Sequence, residues 1–267
     1  MAMADGYAQA TGRPAFVNLH TAPGVGNGMG ALVGAWHNKT PLVVTAGQQT
    51  REMLLLEPWL MNVNAVELPK PSVKWSYETA RAEDGPGALM RASAAALLPP
   101  SGPVFLSLPM DDWAKTAGGE TPARQVTGVT LQHEAVARPS AGDPPRLLFQ
   151  LASGGLGFGL PAAIGIALAE RHTGRNRPVI AVIGDRSFQY SVQSLYTAVR
   201  HDLPLLVVVP DNHEYTILKS FAAQKGTPNV PGLDLPEEVT AAAREALASG
   251  KPTVLQVSIT SEVPPLL

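Results

Sequence analysis

Cysteine is missing altogether from this 267-residue sequence. Disulfides, thiolate nucleophiles and cysteine-ligated zinc are therefore excluded, and any metal must sit on oxygen or histidine ligands. An excess of charge is missing too: 20 Lys and Arg stand against 22 Asp and Glu, a formal net charge of −2. That balance provides no surface for nucleic acid or an anionic membrane. There is no basic stripe, acidic tail or heptad run. Although 45% of the residues are hydrophobic, no unbroken apolar stretch approaches the ~18 residues of a membrane span. The opening "MAMADGYAQATGRP" has neither the charged leader nor the apolar centre of a secretion signal. The expectation is a soluble cytoplasmic protein.

What the sequence does contain is alternation. "RPAFVNLH" (13–20), "TPLVVTAG" (40–47) and "GPVFLSLP" (102–109) are short runs bounded by Gly and Pro. They predict strands buried on both faces of a parallel sheet. Helical patterns lie between them at 26–38 and 88–99. A second alternation begins near residue 151, with a helix over 159–172, a strand over 177–185 and a helix over 188–202. The last of these is expected to turn Val192, Leu195, Tyr196 and Val199 inward. A strand over 203–212, a helix over 236–250 and a strand over 251–259 follow. Residues 114–146 are rich in Gly, Pro, Thr and Ala without periodicity, which marks a linker. The expected organisation is α/β: a domain over 1–113, a linker over 114–150 and a domain over 151–267.

In "VIGDRSFQYSVQSLYTAVRHDLPLLVVVPDNHEY" (182–215) two apolar runs each break off into oxygen-bearing side chains, at Asp185 and at Asn212. In a parallel sheet ligands gather at the carboxyl ends of the strands, near helix N-termini. A carboxylate, an amide oxygen and a backbone carbonyl from the next turn would suit Mg²⁺ or Ca²⁺, and the helix starting near Ser187 would favour a phosphate. Ordinary turn and capping roles account for the same residues. "GVGNGMG" (24–30) also has the look of a dinucleotide-binding loop, the mark of an NAD(P) oxidoreductase, although no acidic residue ends the next strand.

"GDRS" and "DNHEY", with Asp185 and Asn212 27 positions apart, together with "SGGLGFGLPAAIG" (153–165), resemble the cofactor signature of the thiamine diphosphate-dependent decarboxylase and acetolactate synthase superfamily. "ADGYAQATGRPAFVNLHTAPGVGNGMGAL" (4–32) and "PLVVTAGQQTREM" (41–53) resemble its pyrimidine-binding domain. "VKWSYE", "GPVFLSLPMDDW" and "NVPGLDLP" are similar to its benzoylformate branch, which removes CO₂ from aryl 2-oxo acids. The resemblance implies two three-layer parallel-sheet domains, one of pyrimidine type and one of diphosphate type, with thiamine diphosphate and Mg²⁺ (or Ca²⁺) as cofactors.

By that resemblance Asp185 and Asn212 would bind the metal through side-chain oxygens and Glu214 through its main-chain carbonyl. Gly184 and Ser187, with the amides of Tyr215, Thr216 and Ile217, would adjoin the diphosphate. Gly154 would accept a hydrogen bond from the aminopyrimidine, and Leu156 would be the apolar wedge that bends the cofactor. His20 matches the branch's active-site histidine, set against a simple strand-end role. Leu218, Phe221 and Leu233 match positions lining the aryl pocket, set against ordinary core packing. A homo-oligomer and a small 2-oxo acid partner are implied as well, with no nucleic acid and no membrane.

The sequence also departs from that family. The segments that carry its activating glutamate and active-site serine lie upstream of the part matching "ADGYAQA", so no residue here takes either role. The linker is too short for the family's middle domain, and nothing gives His133 the role of the histidine that domain carries. A further strand and helix are absent at "LPEEV" (235–239), and Arg186 replaces the usual second glycine of the strand end. These departures leave open a non-catalytic module of the same ancestry.

Overall fold

The structure, a computed structural model, describes residues 1–116, 154–212 and 245–258. The chain divides into two compact units, Met1–Gly155 and Leu156–Leu267.

The first unit is a parallel sheet of β1 (Ala15–Leu19), β2 (Leu42–Gln48), β4 (Val104–Pro109) and β3 (Ser76–Glu78), in the order β1-β2-β4-β3. Its helices are α1 (Ala2–Thr11), α2 (Thr21–Asn38), the single turn α3 (Arg51–Leu54) and α4 (Gly85–Leu97). The alternation of β2 builds the layers. Leu42, Val44 and Ala46 pack with Ala8 of α1 and with Val25, Leu32 and Ala35 of α2. Val43 points the other way, against Ala92 and Ala96 of α4. All seven residues of β2 are buried, as a central strand covered on both faces requires.

Three elements go beyond the expected ones: α1, the single turn α3 and the short β3. α1 closes on Gly12, whose left-handed φ of 67° lets its N–H reach the Ala8 carbonyl at 2.9 Å. α2 begins five residues earlier than its apolar pattern suggests. This corrects the dinucleotide-loop reading: Gly24, Gly26, Gly28 and Gly30 all lie inside the helix. A Cβ on Gly24 would come within 3.4 Å of Leu19, and one on Gly28 within 3.2 Å of Met1, so those two glycines serve close packing rather than phosphate binding.

Asp5 of α1 is fully buried and ties that helix to the end of α2. It accepts hydrogen bonds from Thr40 Oγ1 (2.5 Å), Gln9 Nε2 (2.8 Å) and Asn38 Nδ2 (3.4 Å). Burial nevertheless outweighs these donors and raises its pKa. The folded state therefore holds the Asp5 proton more tightly than the unfolded chain, whose carboxyl titrates at about 3.9. Stability contributed by Asp5 is then present at low pH and lost as pH rises through the raised value. The thermal midpoint of the wild type relative to Asp5→Asn should fall as pH is raised from the ordinary carboxylate range towards neutrality. Melting curves across pH check this, and a pH-independent difference would remove Asp5 as a buried acid.

The second unit is a parallel sheet in the order β5 (Val179–Val182), β6 (Leu205–Asp211), β7 (Thr253–Ser258). The helix α5 (Gly159–His172) covers β5. Of Leu160, Ile164, Ala167 and Leu168, which its spacing places on one face, the first three are buried and Leu168 is partly exposed. At its end Glu170, almost fully buried, receives Arg177 Nε (2.8 Å) and Nη2 (2.5 Å) and pairs with Arg175.

The helix expected over 188–202 is broken. α6 (Asp185–Gln189) stops after one turn, Ser191 leaves the helical region (φ −144°, ψ 24°), and α7 covers only Leu195–Arg200. The break resets the helical phase, so a 3.6-residue period carried across it selects the wrong face. Ala198 is the buried residue of α7, whereas Val192, Tyr196 and Val199 are exposed. Among the described residues no helix is long and apolar enough to cross a membrane.

Candidate functional site

β5 and β6 run parallel with Val182 opposite Val208, and the Ile183 N–H donates to the Val208 carbonyl at 3.0 Å. Both strands therefore end at the same edge of one sheet. Gly184 leaves β5 in an extended conformation (φ −56°, ψ 147°) and Asp185 opens α6. Asp211 closes β6 and Asn212 follows it. The two oxygen-bearing residues singled out from the sequence thus terminate neighbouring strands. Asp211 is buried and accepts from Gln256 Nε2 of β7 at 2.5 Å, which commits it to the sheet. Asp185 is mostly buried and forms an ion pair with Arg186, Nε to Oδ2 at 3.3 Å.

Ser187 sits in the single turn of α6, where its hydroxyl accepts the Gly157 N–H at 3.0 Å. Gly157 has a left-handed φ of 81°, and a Cβ there would meet Tyr190 Cβ at 2.7 Å. Only glycine fits that position, because neither the backbone conformation nor the rigid contact has room for a side chain. The turn at Gly157 is what brings the segment before α5 to the end of β5. With its acceptor role partly used, the Ser187 hydroxyl keeps its proton for another acceptor. Gly154 also has a left-handed φ, 68°, and Leu156 is a half-exposed apolar side chain.

In the first unit His20 precedes α2 in an extended conformation (φ −96°, ψ 106°) and makes no side-chain capping hydrogen bond. It continues the exposed face of β1 formed by Phe16 and Asn18. Its neighbour Thr21 is buried with an unpartnered hydroxyl. Glu214, Tyr215, Thr216, Ile217, Leu218, Phe221 and Leu233, singled out from the sequence, lie outside the described residues.

Two sequence profiles match the chain: the N-terminal TPP binding domain of thiamine pyrophosphate enzymes over residues 1–68, and the C-terminal TPP binding domain over 130–234. The solved benzoylformate decarboxylase of Polynucleobacter necessarius superposes with a TM-score of 0.80 at 30% identity, over 99% of this chain and 90% of that one. The chain belongs to the thiamine pyrophosphate enzyme family. Benzoylformate decarboxylase of Pseudomonas aeruginosa is 57% identical over 137 residues, 50% of this chain and 26% of that protein. The acetolactate synthase large subunit of Haemophilus influenzae is 30% identical over 109 residues, 41% of this chain and 19% of that protein. The chain thus spans about a quarter or less of the length of these curated relatives.

In this member of the thiamine pyrophosphate enzyme family the N-terminal match contains His20, and the C-terminal match contains Gly154, Leu156, Gly184, Asp185, Ser187 and Asn212. Among the described residues no three His, Asp or Glu side chains cluster as a metal site. The expected ligand set has a single carboxylate, completed by an amide oxygen and a main-chain carbonyl. Hard oxygen donors of this kind at adjacent strand ends fit a divalent cation of the Mg²⁺ class.

Sequence reasoning passed over three features of these edges. Gly157 hid within a glycine-rich segment whose other glycines need no special φ or have open space around them. A polar network closes the carboxyl edge of the first sheet: Glu78 accepts from Ser107 Oγ at 2.7 Å, and Gln48 bonds both N–H and C=O of Asn62. Beside it Arg51 forks onto Asp111 (2.6 Å) and Asp112 (2.8 and 2.7 Å), lowering the pKa of both acids. The bonded partners are 14 to 61 positions apart, so no local pattern announces them.

Proposed function

We propose that this chain binds thiamine diphosphate with Mg²⁺ and belongs to an enzyme that decarboxylates aryl 2-oxo acids of the benzoylformate type. The observation that supports the reading best is the pairing of β5 with β6, two strands that end at one sheet edge just before Asp185 and Asn212. The 57% identity to benzoylformate decarboxylase over half the chain supports the substrate class.

Asp185 and Asn212 hold the metal through side-chain oxygens and Glu214 through its carbonyl, with Ca²⁺ able to substitute. The Ser187 hydroxyl, its acceptor role met by Gly157, donates its proton to a diphosphate oxygen. The amides of Gly184, Tyr215, Thr216 and Ile217 adjoin the same group. The Gly154 carbonyl would accept from the aminopyrimidine and Leu156 would supply apolar contact to the cofactor. His20 binds the substrate carboxylate and moves a proton, while Leu218, Phe221 and Leu233 enclose the aryl ring. Thiamine diphosphate, when bound, supplies the electron sink that lets CO₂ depart from the 2-oxo acid. The working form is a cytoplasmic homo-oligomer.

A second reading is a cofactor-binding module without turnover. Titration calorimetry with thiamine diphosphate in Mg²⁺ should show saturable binding, and a coupled aldehyde assay with benzoylformate separates the two readings. Absence of binding in Mg²⁺ would end both.

A further inference from the structure

Among the described residues β5 is an edge strand, paired with β6 and with no strand on its other side. Ile183, just past its end, turns its N–H to the Val208 carbonyl of β6. Backbone groups alternate along a strand, so Ile180 and Val182 aim their N–H and C=O groups at the open edge. The side chains of the same two residues are 55% and 69% exposed. Ala181 and Ile183, by contrast, are buried on the face that α5 covers. Soluble proteins guard such an edge with lysine, proline, a bulge or a covering element. Residues 179–184 carry no charge, and Pro178 stands only before the strand.

We propose that β5 pairs antiparallel with β5 of a second copy of this chain, joining two three-stranded sheets into one. The strand is complementary to itself in one register, as a two-fold contact requires. With the axis at Ala181, Ile180 of one copy lies opposite Val182 of the other, and Val182 opposite Ile180. Both members of each pair aim their backbone groups outward, so each pair exchanges two hydrogen bonds. Their β-branched side chains meet on one face, where cross-strand neighbours of this kind stabilise a sheet. A shift of one residue would set outward groups against inward ones and lose the ladder. Charge agrees with this register, which carries Arg177 of one copy towards Asp185 of the other. Pro178, lacking an N–H, weakens the ladder beyond these pairs. Two residues from each copy bury far less than the ~1,200 Å² of a stable complex, so the dimer is weak and reversible.

The test follows the full chain by sedimentation velocity over a concentration series, without metal or cofactor, since the pairing needs neither. The wild type should pass reversibly from monomer to dimer. Ile180→Glu and Val182→Lys change exposed positions, and each should weaken association at least about tenfold by removing both cross-strand pairs. An equimolar mixture of the two should dimerise again, because this register sets the new acid against the new base. The chain has no cysteine, so Ala181→Cys places its single thiol at the axis. Opposite Cα atoms of a non-hydrogen-bonded pair lie ~4.5 Å apart there, within reach of a disulfide. Mild oxidation of Ala181→Cys should give a covalent dimer, and Ile180→Cys should give much less. A wild type that stays monomeric would overturn the proposal. So would charged variants that associate as tightly as the wild type, a mixture no better than its components, or equal cross-linking at 180 and 181.

Discussion

Asp185→Ala should lose Mg²⁺-dependent binding of thiamine diphosphate, with the dissociation constant in saturating Mg²⁺ rising at least about 100-fold. Even the outer partners of metal ligands cost ~10–100-fold when removed, and Asp185 is the only carboxylate in the proposed set. It opens a one-turn helix at the end of β5, and among the described residues its side chain is held by the charge contact with Arg186. The fold should therefore survive, with a thermal midpoint close to that of the wild type. Calorimetry in Mg²⁺ and again in a chelator gives the comparison. If Asp185→Ala and the wild type bind alike in Mg²⁺, the metal does not sit at this strand end.

The largest effect on stability should come from Phe105→Ala. Phe105 is in β4, central in the first sheet, opposite Val44 of β2 and beside Ser76 of β3. It is fully buried, and it packs with Val25, Leu32 and Leu42 in the layer under α1 and α2. Truncation removes a large apolar side chain where strands on both sides prevent collapse, a loss of about 3–5 kcal/mol. That is a large part of the ~5–15 kcal/mol that holds an ordinary domain together. Urea denaturation should show a lower midpoint with an unchanged slope. Phe105→Leu, which keeps most of the volume, should cost much less. If Phe105→Ala cost no more than Phe105→Leu, the packing of this layer would be wrong.

Legibility in the sequence varied with how local the cause was. β2, β4, β6 and α5 were readable because β-branched runs bounded by Gly and Pro, or one apolar stripe, specify them without reference to distant residues. α1 was not, since "AMADGYAQAT" contains glycine and a buried aspartate whose partners include the distant Thr40 and Asn38. The segment 188–202 misled because a break at Ser191 is invisible to a periodicity count. Of the site, the Asp185 and Asn212 strand ends could be read, because one helical connection between two apolar runs makes neighbouring parallel strands. The Arg186 contact could not, since adjacent residues on a helix are not expected to meet.

The residues alone determine that this is a parallel α/β chain whose strand ends carry oxygen-bearing side chains, and its motifs identify the thiamine enzyme family. Burial patterns and turn residues act over a few positions, and that information is written along the chain. Tertiary structure alone decides which face of α7 is covered, and that Gly157 must be glycine. It also places the Gly157 amide on the Ser187 hydroxyl, 30 positions away. Those outcomes depend on strand register and on the angle at which each helix leaves its strand. They are set only when the sheet assembles, because the partners that make them favourable are brought together by folding itself.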